Sequence, residues 1–424
     1  MEPIDRGRVA ELAHQPADVL SKAIPAFGRG RTPAELVADA PRLATFNLPL
    51  LTLDAQTLQH NLDTMSSWVA STGMVLAPHG KTTMAPQLWQ RQLDAGAWGI
   101  TLANAAQLKV AWQFGVSTVL IANPLLDPAA LKWIGHELDE HPRRLIVWAD
   151  SVDAVRLMND GLPKGRAALE VCVELGAPGG RTGARTLEDA RAVAEAILSA
   201  DRLNLAGVAG YEGALAHEAS PDSLDTVDGY LESLRILHES LAGRYEVSRP
   251  IVSAGGSAYF DRVAAVLGPL ADVNNTDVVL RSGAYLIHDD GFYDQISSLR
   301  RLPGQRRFRS VMHAWGRVLS RPEPGLALLD LGKRDVSFDE GLPVAQQIRR
   351  WSTPIPLEGS RVTAVNDQHL FLELRPDTRL AVGEIVRFGL SHPCTALDRW
   401  SVIPVLDDAD ADQPCVVDLI RTFF

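Results

Sequence analysis

Cysteine is scarce in this chain: Cys172, Cys394 and Cys415 are the only ones among 424 residues. Their spacing forms no paired framework, which argues against a disulfide-stapled scaffold and fits a reducing compartment. Long apolar runs are also missing, and no stretch is both long enough and free enough of charge to span a bilayer. The opening residues, MEPIDRGRVAELAHQ, lack the basic start and apolar core of a secretory signal. A cytoplasmic protein with no membrane partner is expected. Positive charge is in deficit, with 41 Lys and Arg against 52 Asp and Glu and a formal net charge of -11. That balance argues against a nucleic-acid partner, because phosphate backbones are held by clustered Lys and Arg that displace counterions. The short basic runs, at Arg29 and Arg31 and from Arg300 to Arg309, read as solvated segments.

Apolar residues, at 46%, suffice for a barrel-sized core and a smaller second domain. From Thr45 onward, short runs rich in Val, Ile and Leu alternate with segments of helical periodicity. The runs are MVLA, GITLA, TVLIA, LIVWA, LEVCVEL, LAGVAGY, PIVSA and DVVLR, the pattern of repeated βα units. They predict an α/β fold built on a closed (β/α)8 TIM-type barrel, with an open doubly wound sheet as the alternative. NLPLLTLDAQTLQHNLDTMSSWVAS fits a strand and helix leading into it. After about Arg300 the strand-like runs SVMHAWGRVLS, LALLDLG, RVTAVND, HLFLELR, EIVRFGL, WSVIPVL and CVVDLI follow without helices between them, the mark of a separate C-terminal β domain. The expected organisation is an N-terminal extension over 1–44, the barrel over 45–297 and the β domain over 298–424.

Barrel enzymes collect their chemistry at the C-terminal ends of the strands. There the first run is followed by Pro78-His79-Gly80-Lys81-Thr82, and the fifth by GAPGGRTG with Arg181. Later runs end at Tyr211-Glu212-Gly213, at Ser253-Ala254-Gly255-Gly256-Ser257 and at Arg281-Ser282-Gly283-Ala284-Tyr285. A lysine desolvated at such a position presents a neutral amine able to attack a carbonyl and form a Schiff base. An aldehyde cofactor with a phosphate would need an anchor. SAGGS supplies one, because Gly255 and Gly256 let backbone N–H groups approach closely while Ser253 or Ser257 adds a hydroxyl. Arg181 fits a cation beside a phenolic oxygen. His79, Tyr211 and Glu212 share the strand-end address, though each also reads as an ordinary turn or packing residue.

PHGKT, DAGAWGITLANAAQ, ELGAPGGRTG, GYEG, SAGGS, RSGAYLIHDDGFY, LLDLGKRDVSFDEGLP, the histidine of DQHL and SHPCTALDRW occur in this order from about Leu48 to Trp400. In that order the chain resembles the fold-type III pyridoxal-phosphate enzymes, the alanine racemase-like barrels, and within them the D-serine dehydratase and D-threonine aldolase family. The resemblance implies Lys81 as the Schiff-base lysine, Arg181 near the ring oxygen, Gly255 and Gly256 at the phosphate, and His392 with Cys394 as zinc ligands. Tyr211 would contact cofactor or substrate. In an extended segment, residues two apart project to one side, so His392 and Cys394 could face one ion. Two departures stand out: Thr83 and Met84 replace the family's common second histidine segment, and Ser282 stands where proline is common.

The activity so implied is a pyridoxal-phosphate- and zinc-dependent elimination of water and ammonia from a β-hydroxy D-amino acid such as D-serine or D-threonine, giving a 2-oxo acid. Aldol-type cleavage to glycine and an aldehyde uses the same groups, and a non-catalytic pyridoxal-phosphate carrier is the reading from another class. A homodimer in which the β domain covers the partner's barrel is also implied.

Overall fold

A computed structural model describes residues 2–16, 20–273, 275–350 and 353–424. Eight parallel strands form one sheet in the order Val75–Leu76, Asp277–Leu280, Ile251–Ala254, Leu203–Gly210, Leu169–Leu175, Arg144–Ala149, Thr118–Ile121 and Ile100–Leu102. The first and last of these strands are joined by Trp98 N–H to Leu76 O (2.7 Å), Thr101 N–H to Pro78 O (2.9 Å) and a parallel bridge between His79 and Thr101. The sheet therefore closes into a (β/α)8 barrel, and the doubly wound alternative is excluded.

Alternation along each strand divides the core in two. Leu120, Ile146, Trp148, Cys172, Ala206 and Ile251 belong to an interior cluster, whereas Val119, Leu145, Val147, Val171 and Val173 pack outward with the helices. Cys172 is thus barrel filling; burial pushes its thiol up, out of the range of a nucleophile. The helices start where short polar side chains can accept their free amides: Asn104, Asp127, Ser151 and Thr186 each cap the helix that follows.

A second sheet runs Thr353–Pro356, Val344–Arg350, Ile385–Gly389, Met312–Glu323, Leu50–Asp54, Val402–Leu406 and Val416–Arg421. Leu326–Leu329, Leu370–Glu373 and Arg361–Val365 branch from its longest strand. The strand at 50–54, read in sequence as the barrel's lead-in, pairs here instead: Leu50 is opposite Trp315 in an antiparallel ladder, and Leu53 is opposite Val405 in a parallel one. The helix after it, Ala55–Ala70, returns to the barrel, where Asn61 Nδ2 donates to Leu286 O and Arg309 O. The strand thus belongs to the second sheet, while the helix after it packs on the barrel.

The N-terminal segment also bridges both. Ser117 N–H donates to Pro3 O on the barrel, and Val416 N–H donates to Pro41 O on the second sheet. Lys22 Nζ reaches Asp335 Oδ1 at 2.9 Å and lies over the Trp400 ring. Part of the basic run at 300–309 is structural rather than solvated, since Arg301 pairs with the buried Asp261 and donates to Ala258 O. Among the described residues no helix is long and apolar enough to cross a membrane.

Candidate active site

At the C-terminal end of the barrel lies a cavity of about 320 Å³. His79, Lys81, Arg181, Tyr211, Gly256, Ser257, His392 and Cys394 all line it, so side chains more than three hundred residues apart in sequence converge there. Ser253 and Gly255, expected beside them, do not line it.

Lys81 sits in a short helical turn, Gly80–Thr82, directly after the first barrel strand. Gly80 must be glycine for this turn to seat: a Cβ there would lie 2.6 Å from Ile100 Cγ2 and 2.8 Å from Trp89 Nε1. The Trp89 indole instead donates to Gly80 O at 3.1 Å. The neighbouring imidazole, His79, is kept neutral. Burial, reinforced by the charges of Lys81, Arg281 and Arg181, holds its pKa well below the ordinary histidine value.

The glycine loop departs from expectation. Gly255 N–H donates to Glu212 Oε2 (3.0 Å) and Gly256 N–H to Glu212 Oε1 (2.7 Å), so both amides anticipated for a phosphate are taken by a fully buried carboxylate. Gly255 needs its left-handed φ of +91°, and a Cβ there would meet Leu280 at 2.5 Å. Ser282 Oγ donates to Gly256 O at 2.8 Å and closes the loop from the other side. What the loop presents to the cavity is Gly256 and Ser257. Ser253 is fully buried below, accepting from Arg281 Nη1 at 2.6 Å. Replacing Glu212 with glutamine leaves one glycine amide facing an NH₂ group. The expected loss is about 2 kcal/mol of folding stability, measured as a lower urea midpoint; an unchanged midpoint would show that both amides find other acceptors.

Arg281, at the end of the eighth run, also lines the cavity. Its guanidinium is buried, stacks 4.7 Å from the Trp148 ring centre, and donates Nη2 to Gly210 O at 2.6 Å. Burial lowers its pKa while Glu212 opposes that shift, and a guanidinium stays charged nonetheless. Arg181 also lines the cavity, 5.0 Å from the Tyr211 ring centre. Trp148, Asn123 and Tyr293 also line the cavity and were missed in sequence. Trp148 and Asn123 sit at the ends of LIVWA and TVLIA, so applying the same strand-end rule to those runs would have found them.

His392 and Cys394 do meet at the cavity, but not in an extended segment. His392 adopts a left-handed backbone (φ 55°) ahead of the short helix Pro393–Leu397, and the buried Asp289 holds it there by accepting from His392 N–H at 3.0 Å. Asp339 Oδ2 is 2.5 Å from His392 Nδ1, and its other oxygen accepts from Thr395 Oγ1 at 2.7 Å. That carboxylate orients the ring and leaves Nε2 as the remaining donor atom. A hydrogen bond to Cys394, opposed by burial and aided by Asp339, pushes the His392 pKa up to about 9. Burial acts to raise the Cys394 thiol, but the hydrogen bonds with His392 and Thr82, together with the charges of His392 and Lys81, bring it below its ordinary value. A sulfur so disposed toward thiolate beside an oriented imidazole is donor chemistry suited to zinc. Among the described residues no group of three or more His, Cys, Asp or Glu gathers at one metal position, so these two stand as a pair.

The cavity also suits an anionic cofactor. Lys81, Arg181 and Arg281 line it with no carboxylate among the described lining residues, in a chain of net charge -11. The buried Nδ1 of His79 and Nε of Arg281 have no hydrogen-bond partner in the protein. Buried polar atoms left so are ones a ligand can satisfy.

Residues 53–267, half of the chain, match the family described as "Alanine racemase, N-terminal domain", and residues 311–406 match "Putative serine dehydratase domain". D-threonine aldolase of Arthrobacter sp. is 23% identical over 82% of this chain and 86% of its own length. D-threo-3-hydroxyaspartate dehydratase of Delftia sp. (strain HT23) is 25% identical over 83% of this chain and 92% of its own. Among solved structures, D-threonine aldolase from Filomicrobium marinum superimposes with a TM-score of 0.75 at 23% identity, over 90% of this chain and 96% of that one. Barrel, second sheet and the two matched segments agree, and the chain belongs to the alanine racemase N-terminal domain family, with a C-terminal domain of the serine dehydratase kind.

Proposed function

We propose that the protein is a pyridoxal-phosphate-dependent lyase acting on a β-hydroxy D-amino acid, and that it eliminates water and ammonia to leave a 2-oxo acid. The observation that carries this reading is the meeting of Lys81 with His392 and Cys394 at one cavity. An amine for the cofactor and a pair of metal donors there fit chemistry at adjacent carbons, Cα and Cβ. The relatives named as aldolases and as a dehydratase act, by their names, on such substrates. When bound, pyridoxal phosphate would draw electrons from Cα, and zinc would hold the departing β-oxygen.

The chain's own residues supply the rest. Lys81 Nζ would hold the cofactor and, once displaced by substrate, take the α-proton. His79 adds a neutral ring to the wall and no further cation. Ser257 and the loop braced by Glu212 would face the phosphate, while Arg181 and Arg281 would offset its negative charge. Nε2 of His392 and the sulfur of Cys394 would hold the metal, with Asp339 fixing the imidazole's orientation.

The spacing of the histidine and cysteine is what supports the dehydration reading, by likeness to a relative named as a dehydratase. Solved structures of a D-threo-3-hydroxyaspartate dehydratase include a cysteine-to-alanine mutant in a metal-free form and a histidine-to-alanine mutant, at positions two residues apart as His392 and Cys394 are. Product analysis distinguishes the outcomes. Protein loaded with pyridoxal phosphate and zinc is incubated with D-serine, D-threonine and D-threo-3-hydroxyaspartate. A 2-oxo acid with equimolar ammonia is expected; glycine with an aldehyde would establish the aldolase reading, and bound cofactor without turnover of any of the three would establish a carrier.

A further inference from the structure

Away from the catalytic cavity, the N-terminal segment and the second sheet enclose another, of about 510 Å³. Beneath it the indole of Trp315, fully buried and anchored by donation from Nε1 to Thr52 Oγ1 at 2.8 Å, supports the cavity from below. Leu48 and Ile385, both partly exposed, form the apolar wall, backed by the buried Phe46 and Leu43. Arg349 lies over the indole, 5.4 Å from the ring centre, and donates Nη2 to Ala409 O at 2.6 Å.

The rim has a different character. Arg42 Nη1 donates to Gln413 O at 2.7 Å and Arg317 Nη1 to Gly383 O at 2.8 Å. Both guanidinium groups are therefore held by carbonyl oxygens, and among the described residues neither has a carboxylate within ion-pair distance. Asp412 is the acidic member of the lining. An apolar well with a cationic rim is complementary to a molecule with an apolar body and one anionic end, and a guanidinium fork matches a carboxylate in two-point geometry.

We propose that this cavity is a second ligand site, taking an amphipathic carboxylate with its aromatic or branched apolar body against Leu48 and Ile385 and its carboxylate against Arg42 and Arg317. The site is independent of Lys81 and of the proposed reaction.

Calorimetric titration of the full chain with 4-phenylbutanoate tests it. A Kd of about 1 mM or below is expected, the range open to a fragment-sized ligand. 4-Phenylbutan-1-ol, which lacks the charge, should bind at least about ten-fold more weakly, and the double variant Arg42→Ala/Arg317→Ala should weaken the carboxylate by a similar factor. Ala44→Trp, which fills the mouth from an exposed position, should abolish binding, whereas Lys81→Ala should leave it unchanged. Absence of binding at about 10 mM, equal affinity in the double arginine variant, or loss of binding in Lys81→Ala would each overturn the proposal; the last would place the probe in the catalytic cavity.

Discussion

Lys81→Ala is expected to abolish turnover, by about 10⁴-fold or more, because one side chain would provide both the covalent hold on the cofactor and the group that moves the α-proton. The same variant should lose the long-wavelength absorbance that protein loaded with pyridoxal phosphate would show. No other lysine lines the cavity among the described residues, so no neighbour stands ready to replace it. Lys81 is half-buried at the cavity wall, and its truncation leaves the Gly80 contacts with Trp89 and Ile100 in place. Loss of activity should therefore come with little change in melting temperature. Lys81→Arg refines the result: it keeps the cation but gives up the titratable amine, and it should be as inactive as alanine. Borohydride treatment of the loaded wild-type protein should fix the cofactor on the peptide that contains residue 81. Recovery of the adduct on another peptide, or full activity in the alanine variant, would end the lyase assignment.

The barrel was legible because its strands are buried on both faces and read as unbroken apolar runs, from MVLA to DVVLR. Membership of the second sheet was harder to see. Leu50–Asp54 has the composition of a barrel strand, and only its long-range ladders with Met312–Glu323 and Val402–Leu406 assign it elsewhere. Val344–Arg350 and Thr353–Pro356 give no apolar run, because one carries Gln346, Gln347 and Arg349 and the other, at the edge of the sheet, carries two prolines. In the site, the strand-end address found Lys81, His79, Arg181 and Tyr211. It could not show that Glu212 takes the glycine amides, which depends on a carboxylate reaching a loop more than forty residues away. The histidine and cysteine were found by motif. Their meeting, however, rests on a left-handed residue at a helix start and on Asp339, fifty-three positions upstream, rather than on strand alternation.

Cys394→Ala should separate the two halves of the proposed chemistry. The cofactor's hold depends on Lys81 and the strand-end loops, so the variant should bind pyridoxal phosphate as the wild type does and show the same absorbance. Zinc content should fall to background after dialysis, since His392 alone is left of the pair and no third donor gathers with it among the described residues. Loss of a metal that stabilises the departing oxygen by several kcal/mol should lower kcat by about 10³-fold. His392→Ala is expected to match it. Asp339→Asn should be milder: asparagine can still meet Nδ1 but brings no charge, and loss of such an outer partner typically weakens metal binding by about 10- to 100-fold. Added zinc should therefore restore the asparagine variant at saturating concentration and fail to restore the alanine variants. That graded rescue distinguishes positioning from ligation, because a residue needed only for folding would respond to zinc in neither way. Unchanged activity in Cys394→Ala, or in wild-type protein after stringent chelation, would remove the metal from the mechanism and leave the departing hydroxyl to be protonated by another group at the cavity.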